Sequence, residues 1–276
     1  MAITAADVNK LRQMTGSGMM DCKNALVEAD GDFDLAIDIL RKKGQKVAAK
    51  RADRASNQGR VVAKKNADQT FAAIVVVSCE TDFVAKNTDF VAFADLIIDI
   101  AMANKIKTRE ELLAHKIDGI TVEDMLIDMT GKTGEKTELS AYEVIEAPCV
   151  AAYNHTGNLL ATISGFTIGG EKVFEVAHNV AMQIAAMNPL AVSPEQIPQA
   201  TIAHELELAR EITRQEGKPE NMVEKIAEGK LNKFFKENTL LSQEFIRDNK
   251  LTVADYLKQT DANLTCCCFY RLQIGA

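Results

Sequence analysis

The sequence of 276 residues contains no tryptophan, no long apolar run and no phosphate-binding loop. No stretch approaches the ~20 apolar residues that a membrane-spanning helix requires, so we expect no membrane segment. Residues 1–4 lack the basic start and apolar block of a secretory signal. Because 47% of the residues are hydrophobic and 26% are charged, an ordinary globular composition, we expect a globular protein with a sizeable core.

The six cysteines do not have the paired spacing of a metal site. They lie at positions 22, 79, 149, 266, 267 and 268. Three in succession are poor material for a disulfide framework, which favours a reducing compartment, and we expect a cytoplasmic protein. Adjacent cysteines also converge poorly on one ion. We therefore expect no metal, and we interpret Cys22 as part of a helix core.

Enzyme motifs are also missing from the sequence. Gly131-Lys132-Thr133 has the lysine and hydroxyl of a phosphate-binding loop, but Leu126 stands where that motif requires glycine. The four histidines lie in unrelated contexts, with neither zinc spacing nor a nucleophile nearby. We therefore expect neither an enzyme nor a bound cofactor, and a protein-binding function becomes the stronger interpretation.

Charge is unevenly distributed along the chain. The net charge is −7, yet residues 41–65 contain ten basic side chains and one acid, Asp53. This segment is compatible with a solvated helix and linker, with an acidic protein surface as partner, or with RNA. It contains no aromatic residue on which bases would stack, and we expect no direct nucleic-acid binding.

The first 45 residues predict three short helices. Thr4 and Asp7 have the spacing of an amino-terminal capping box, flanked by Ile3 and Val8. Apolar residues then recur every three or four positions. Gly44, which follows three basic residues, is predicted to end the third helix. This unit resembles a ubiquitin-associated (UBA) type of domain.

A β-branched run at 71–77 predicts a largely buried strand. The polar segment 79–87, CETDFVAKN, follows it and leads into a helix that begins near Asn87 or Thr88. Position alone favours an interior place for Phe83, because a phenylalanine on such a connection usually folds back into the core.

A second module repeats this order of elements. Residues 143–153 are predicted to form one strand, 154–158 a hairpin turn and 159–166 the return strand. A helix then ends before Pro189. The carboxyl-terminal residues 251–276 are predicted to form a short helix and a final strand.

Residues 194–237 differ from both modules. Two narrow apolar stripes flank Gly217-Lys218-Pro219, which predicts an antiparallel helical hairpin. This hairpin either projects as a coiled coil or lies flat on the core. We therefore predict an α+β protein with four parts: a UBA-like three-helix domain with a basic linker (1–55), a first core subdomain (56–140), a second core subdomain (141–193 and 238–276) and the inserted hairpin (194–237).

Two segments closely resemble signatures of the elongation factor Ts family. These are residues 15–26, TGSGMMDCKNAL, and residues 79–87. The resemblance extends to Tyr153-Asn154-His155, to 217–219 and to 240–246, LLSQEFI, and so covers nearly the whole chain. The carboxyl end departs from it, because the family often closes with Glu-Val-Gly-Glu and this sequence does not.

The resemblance implies a guanine-nucleotide exchange factor for the translation GTPase elongation factor Tu. It implies that a short segment disturbs the Mg²⁺ and phosphate site of the GTPase: Thr81, Asp82, Phe83 and Val84. It also implies further partner contacts: Lys23, His155, Phe245 and Ile246. The hairpin at 194–237 could support a homodimer or a 2:2 complex.

Two alternatives belong to other functional classes. A binder of ubiquitin-like domains would act through residues 1–45 and ignore the nucleotide state of any GTPase. An RNA-binding scaffold would act through residues 41–65 and show a steep dependence on salt. Neither alternative requires exchange activity.

Overall fold

A computed structural model describes residues 3–275. Part of the prediction for residues 1–4, and the end of the tail at Ala276, lie outside the described residues. Helices and strands are mixed along the chain, which confirms the predicted α+β class. None of the described helices is long and apolar enough to cross a membrane.

The α-helices are α1 (Ala5–Thr15), α2 (Met19–Glu28), α3 (Phe33–Arg51), α4 (Asp82–Ala85), α5 (Thr88–Asn104), α6 (Arg109–Ala114), α7 (Val122–Thr133), α8 (Glu171–Met187), α9 (Gln199–Gln215), α10 (Glu220–Asn238) and α11 (Val253–Thr260). Short 3₁₀ helices span Pro194–Gln196 and Leu240–Ser242. The strands are β1 (Gln58–Lys65), β2 (Phe71–Cys79), β3 (Lys116–Ile117), β4 (Ile120–Thr121), β5 (Glu138–Glu146), β6 (Cys149–Asn154), β7 (Leu160–Phe166), β8 (Glu244–Phe245), β9 (Asp248–Thr252) and β10 (Cys266–Gln273).

The body contains two antiparallel sheets that pack face to face. Their strand orders are β1-β2-β5 and β10-β7-β6. Ile74 and Val76 of β2 meet Ile163 of β7 in the cluster between the sheets. Alternate residues of β2, such as Val75, face the helices α5–α7 instead. Since successive side chains in a strand point to opposite faces, β2 is buried on both faces, as its composition predicts.

The outer face of the second sheet is covered by α8 and α11. Ala177, Ala181 and Ile184 of α8 are fully buried there. The predicted turn at 154–158 joins β6 to β7, with φ of 87° at Gly157 and 53° at Asn158. Positive φ is the conformation that glycine and asparagine tolerate best.

The strand predicted at 143–153 is in fact two strands in two different sheets. β5 pairs with β2, whereas β6 pairs with β7. The chain crosses between the sheets at Ala147-Pro148, where proline removes a backbone donor and cannot continue a central ladder. The predicted subdomain boundary between residues 140 and 141 therefore lies inside β5, and the division into four parts stays a prediction.

The three amino-terminal helices enclose a small core of their own. Thr4 and Asp7 form the expected capping box, with Thr4 N donating to Asp7 Oδ2 at 2.9 Å. Leu11, Cys22 and Leu26 are fully buried. The helix-core interpretation of Cys22 is thus confirmed.

The prediction that Gly44 ends the third helix is wrong, because α3 continues to Arg51. Gly44 is buried against Gly131 of α7, where the two helices cross closely. A Cβ added at Gly131 would stand 2.9 Å from the Gly44 Cα. The ion pair between Arg41 and Asp128 (3.8 Å) lies at the same crossing. Gly44 therefore serves close packing between helices, which local sequence does not distinguish from a helix stop.

Helices α9 and α10 pack along each other across Gly217, whose φ is 71°. Ala209 and Thr213 of α9 are buried, as are Val223 and Ala227 of α10. The apolar stripe is only partly covered, because Ile212 is 39% exposed. A helical pair is confirmed, and its assignment as a coiled coil stays a prediction.

Candidate functional site

Phe83 is the most exposed large hydrophobic side chain among the described residues, at 84%. It lies in the first turn of α4, just after β2. The expectation from position alone, that this ring folds into the core, is therefore wrong. Water contact over most of an aromatic ring is unfavourable. A protruding phenylalanine on an ordered turn is consequently a candidate anchor for a partner.

Thr81 forms hydrogen bonds both with α4 and with the distant residue Glu135. Its hydroxyl accepts from the Val84 N–H at 3.4 Å and caps α4. Its backbone N–H and its hydroxyl both donate to the carboxylate of Glu135, at 3.0 and 2.7 Å. Thr81 therefore fixes the start of α4 and, with it, the direction in which Phe83 points.

Sequence reasoning missed Glu135. It lies in the loop between α7 and β5, 54 positions from Thr81, and no local pattern links the two. Glu80 and Thr81, which precede α4, bind Lys136 and Glu135 of the α7–β5 loop. We call these four residues the brace of the turn.

Glu80 completes the brace. Its carboxylate accepts from the Lys136 backbone N–H at 2.7 Å and from the Arg51 guanidinium at 2.7 and 2.8 Å. These bonds, that from Lys136 above all, hold the pKa of Glu80 below its ordinary value. Since Arg51 ends α3, the same carboxylate ties the amino-terminal helices to the turn.

The lowered pKa of Glu80 predicts a loss of stability in acid. A carboxyl group whose pKa is depressed by folding stabilises the protein above its unfolded pKa, and this contribution disappears as pH falls through the folded pKa. Glu80→Gln should therefore lower the free energy of unfolding at pH 7, with the difference shrinking below about pH 4.3. Urea unfolding across pH measures it, with the exposed Glu228→Gln of α10 as control. A difference that stays constant from pH 7 to pH 3 would contradict the assignment.

A second prediction concerns Glu135. Glu135→Ala removes both bonds to Thr81, so the Thr81 amide should exchange with deuterium faster and the turn should lose order. We expect stability to fall by about 1–3 kcal/mol, measured by urea unfolding. Glu135→Gln keeps an acceptor for one of the two donors and should lie between the variant and the native protein. Unchanged amide exchange in Glu135→Ala would show that the brace does not order the turn.

The other two residues of the predicted segment have different surroundings. Asp82 is partly exposed and pairs with Lys86 at 2.7 Å across one helical turn. The hydrogen bond from Lys86 lowers the Asp82 pKa. Val84 is partly buried and packs on the core below α5. Val84 thus holds the segment 81–84 against the core, while the neighbouring Phe83 side chain is exposed to solvent.

Lys132 connects the segment 15–26 to the region of the turn. Its stem lies over Gly16, where φ is +68° and an added Cβ would stand 2.5 Å from Lys132 Cε. Its ammonium pairs at 2.7 Å with Asp89 in the first turn of α5. Lys132 therefore joins the first resemblance motif to the helix that follows the second, although 52 residues lie between the two motifs in sequence.

The remaining predicted contact residues are spread over the surface. Lys23 is exposed on α2. His155 is exposed on the β6–β7 turn, where its Nδ1 lies 3.0 Å from the Tyr153 hydroxyl. Phe245 is buried at 3% exposure and stacks on Tyr256 at 4.0 Å. Its neighbour Ile246 is 45% exposed, so of this pair Ile246 is the one accessible to a partner.

Much of the basic segment 41–65 is neutralised within the chain. Five of its cations pair with acids of the chain: Arg41 with Asp128, Lys43 with Asp21, Arg51 with Glu80, Arg60 with Asp95 and Lys64 with Asp99. Cations engaged in this way are less available to phosphates. Half of the ten basic side chains of this segment therefore have an acidic counterpart within the chain.

Comparisons with known proteins identify the family of this chain. The model of the family described as "Elongation factor TS" matches residues 80–276, beginning at the turn. Elongation factor Ts of Christiangramia forsetii is 53% identical over 273 residues, 99% of each chain. Those of Flavobacterium psychrophilum (99% of each chain) and Porphyromonas gingivalis (all of each chain) are 51% and 50% identical. The chain is therefore a translation elongation factor. It belongs to the elongation factor Ts family.

Proposed function

We propose that this protein is a guanine-nucleotide exchange factor that binds elongation factor Tu and promotes release of GDP. The observation that carries the proposal is Phe83, exposed on a turn that is held firmly at its base. Membership of the elongation factor Ts family supports the choice of partner. The protein itself catalyses no covalent step in this proposal, and it acts in the cytoplasm.

The mechanism requires a wedge and a rigid support. Mg²⁺ bound with the nucleotide supplies much of the positive charge at the phosphates of the GTPase. Phe83 inserts between helices of the GTPase and displaces a segment that supports the metal. Asp82, paired with Lys86, keeps α4 in register, while the brace resists the reaction force. Weaker binding of the nucleotide then lets GDP leave without any covalent bond being broken.

One aromatic side chain can supply the energy needed to lower the barrier to GDP release. A ~1000-fold faster release requires about 4 kcal/mol off the barrier. Single buried aromatic residues at interfaces contribute energies of this order. Linkage also demands that GDP weakens binding of the factor as much as the factor weakens binding of GDP. GTP entering the vacated site displaces the factor on the same principle.

Other surfaces extend the interface in this proposal. Lys23 on the UBA-like domain, His155 on the β6–β7 turn and Ile246 beside α11 contact the GTPase at separate points. The exposed Ile212 leaves part of the α9–α10 stripe open. A coiled coil formed there supports a homodimer or a 2:2 complex, and light scattering with and without elongation factor Tu measures the stoichiometry.

The proposal is tested by release of a fluorescent GDP analogue from purified elongation factor Tu. The chain has no tryptophan, so its own emission interferes little. Acceleration at substoichiometric amounts of this protein is the expected result. With a folded sample and active partner, unchanged release would contradict exchange activity. Binding through residues 1–45 that ignores the nucleotide state would instead indicate a binder of ubiquitin-like domains.

A further inference from the structure

Three consecutive cysteines lie on β10, an edge strand of the second sheet. Cys266 faces Phe166 of β7, and Cys268 faces the next residue along, Gly165. Cys267 is therefore an extra residue, and the strand has a β-bulge at this point. In a regular strand, adjacent side chains point to opposite faces. A bulge interrupts that alternation and re-aims the side chains next to it.

The bulge brings two of the three sulfur atoms together. The Cys267 and Cys268 Sγ atoms lie 3.8 Å apart. Cys267 is exposed and Cys268 is partly buried, whereas Cys266 is 2% exposed. Cys268 fits because its partner is glycine, since a Cβ at Gly165 would stand 3.1 Å from the Cys268 Sγ. Cys267 and Cys268 therefore form a close pair of thiols, of which Cys267 is exposed to solvent.

A groove of about 240 Å³ runs beside the pair and is open to solvent. Leu190, Ala191, Val192 and Phe269 provide an apolar lining, and Gln196 provides an amide. A small molecule can therefore approach Cys267 without any movement of the fold. The other three cysteines, at 22, 79 and 149, are buried and have no comparable access.

The neighbouring thiol activates Cys267. The hydrogen bond shared by the two thiols lowers the pKa of Cys267 and raises that of Cys268. A lowered pKa favours the thiolate of the exposed Cys267, and the thiolate is the reactive form. A pKa near ambient pH also preserves much of the intrinsic nucleophilicity. Burial raises the pKa of Cys266, so this third thiol stays protonated.

We propose that Cys267 is an oxidation site for small hydroperoxides and that Cys268 is its resolving thiol. The Cys267 thiolate attacks the terminal oxygen of the hydroperoxide, the O–O bond breaks, and the released alkoxide or hydroxide takes a proton from water. Cys267 becomes a sulfenic acid. The Cys268 sulfur then attacks the Cys267 sulfur, an S–S bond forms, and the S–O oxygen leaves as water with the Cys268 proton. The dithiol loses two electrons and the hydroperoxide gains them.

The disulfide formed in this way is readily reversed. The Cα atoms of adjacent residues are about 3.8 Å apart, which is closer than in most disulfides, and such a bond is strained and more easily reduced. Small cellular thiols are therefore sufficient to restore the pair. Cys267 and Cys268 are therefore a site of reversible modification on β10, and they lie far from the brace residues in sequence.

The test is oxidation of the full chain with hydrogen peroxide, followed by intact and peptide mass spectrometry. We expect the native protein to lose two hydrogen atoms within the peptide that contains 266–268. Cys268→Ser should stop at the sulfenic acid and form a dimedone adduct on Cys267, whereas Cys267→Ser should lose both reactions. Cys266→Ala is the matched neighbour and should react as the native protein does. Circular dichroism verifies that each variant is folded.

Three outcomes would overturn the proposal. One is oxidation at the same rate in native protein and Cys267→Ser. Another is a stable dimedone adduct on Cys267 in the native protein with no internal disulfide, which would exclude Cys268 as the resolving thiol. The third is oxidation that yields only dimers linked between chains, seen on a non-reducing gel.

Discussion

Replacing Phe83 with alanine is expected to slow GDP release from elongation factor Tu at least about tenfold while leaving the fold intact. The ring is 84% exposed, so little packing within the chain is lost. In the proposed complex the same ring is buried in the GTPase, and losing such an anchor costs upwards of 1.4 kcal/mol, a factor of about ten in rate. The measurement is stimulated release of a fluorescent GDP analogue, together with thermal unfolding of the variant.

A matched control is available for Phe83. Leu190 is another exposed hydrophobic residue, at 59%, and it lies outside the proposed interface. Leu190→Ala should leave stimulated release unchanged. If Phe83→Ala released GDP as fast as the native protein, the wedge would be refuted even if binding to elongation factor Tu persisted.

Gly131→Ala is expected to destabilise the protein by about 1–3 kcal/mol, as overpacking usually does. The added methyl group would stand 2.9 Å from the Gly44 Cα, and backbone atoms cannot move aside as a flexible side chain would. The crossing of α3 and α7 should loosen, and with it the ion pair of Arg51 with Glu80 at the end of α3. Urea unfolding measures the loss, and limited proteolysis between residues 52 and 57 reports release of the amino-terminal helices.

A glycine-to-alanine substitution in α10 should change the free energy of unfolding in the opposite direction. Gly229 lies in α10, and nothing stands within 4 Å of an added Cβ there. Alanine is favoured over glycine in a helix by about 0.5–1 kcal/mol, so Gly229→Ala should stabilise the protein. Equal effects of Gly131→Ala and Gly229→Ala would show that the crossing has room and does not depend on glycine.

Features governed by local chemistry could be read from the sequence. The capping box at Thr4 and the positive φ at Gly157 follow from residues within a few positions. The burial of β2 on both faces follows from its β-branched composition. In each case the relevant neighbours in sequence are also the neighbours in space.

Features that depend on a distant partner could not be read in this way. Gly44 resembles a helix stop in sequence, and only its contact with α7 shows its packing role. Pro148 divides the strand predicted at 143–153 because the second half of that segment pairs in a different sheet. Glu135 carries no motif, yet it orients Thr81 across 54 positions. Phe83 shows the same limit, since position alone favoured the core and the family resemblance alone indicated the surface.

The cysteine triplet illustrates a further limit. In sequence, adjacent cysteines on a strand suggest sulfur atoms on opposite faces. The bulge at Cys267 reverses that expectation, and bulges arise from strand pairing that composition does not specify. The closeness of Cys267 to Cys268 could therefore be recognised only from the paired strands.

The burial of β2 on both faces has a consequence for how force passes through the molecule. Native proteins open in cooperative units, and strands at the centre of a core open last, often only with complete unfolding. The segment that carries Phe83 starts at the end of such a strand. Its exposed part, at Phe83, is free to adapt to a partner. Its start, at the end of β2, belongs to the part of the molecule that unfolds last. In the proposed mechanism, the force that Phe83 exerts on the GTPase is therefore carried by the core of the factor, and little energy is lost in deforming the factor itself.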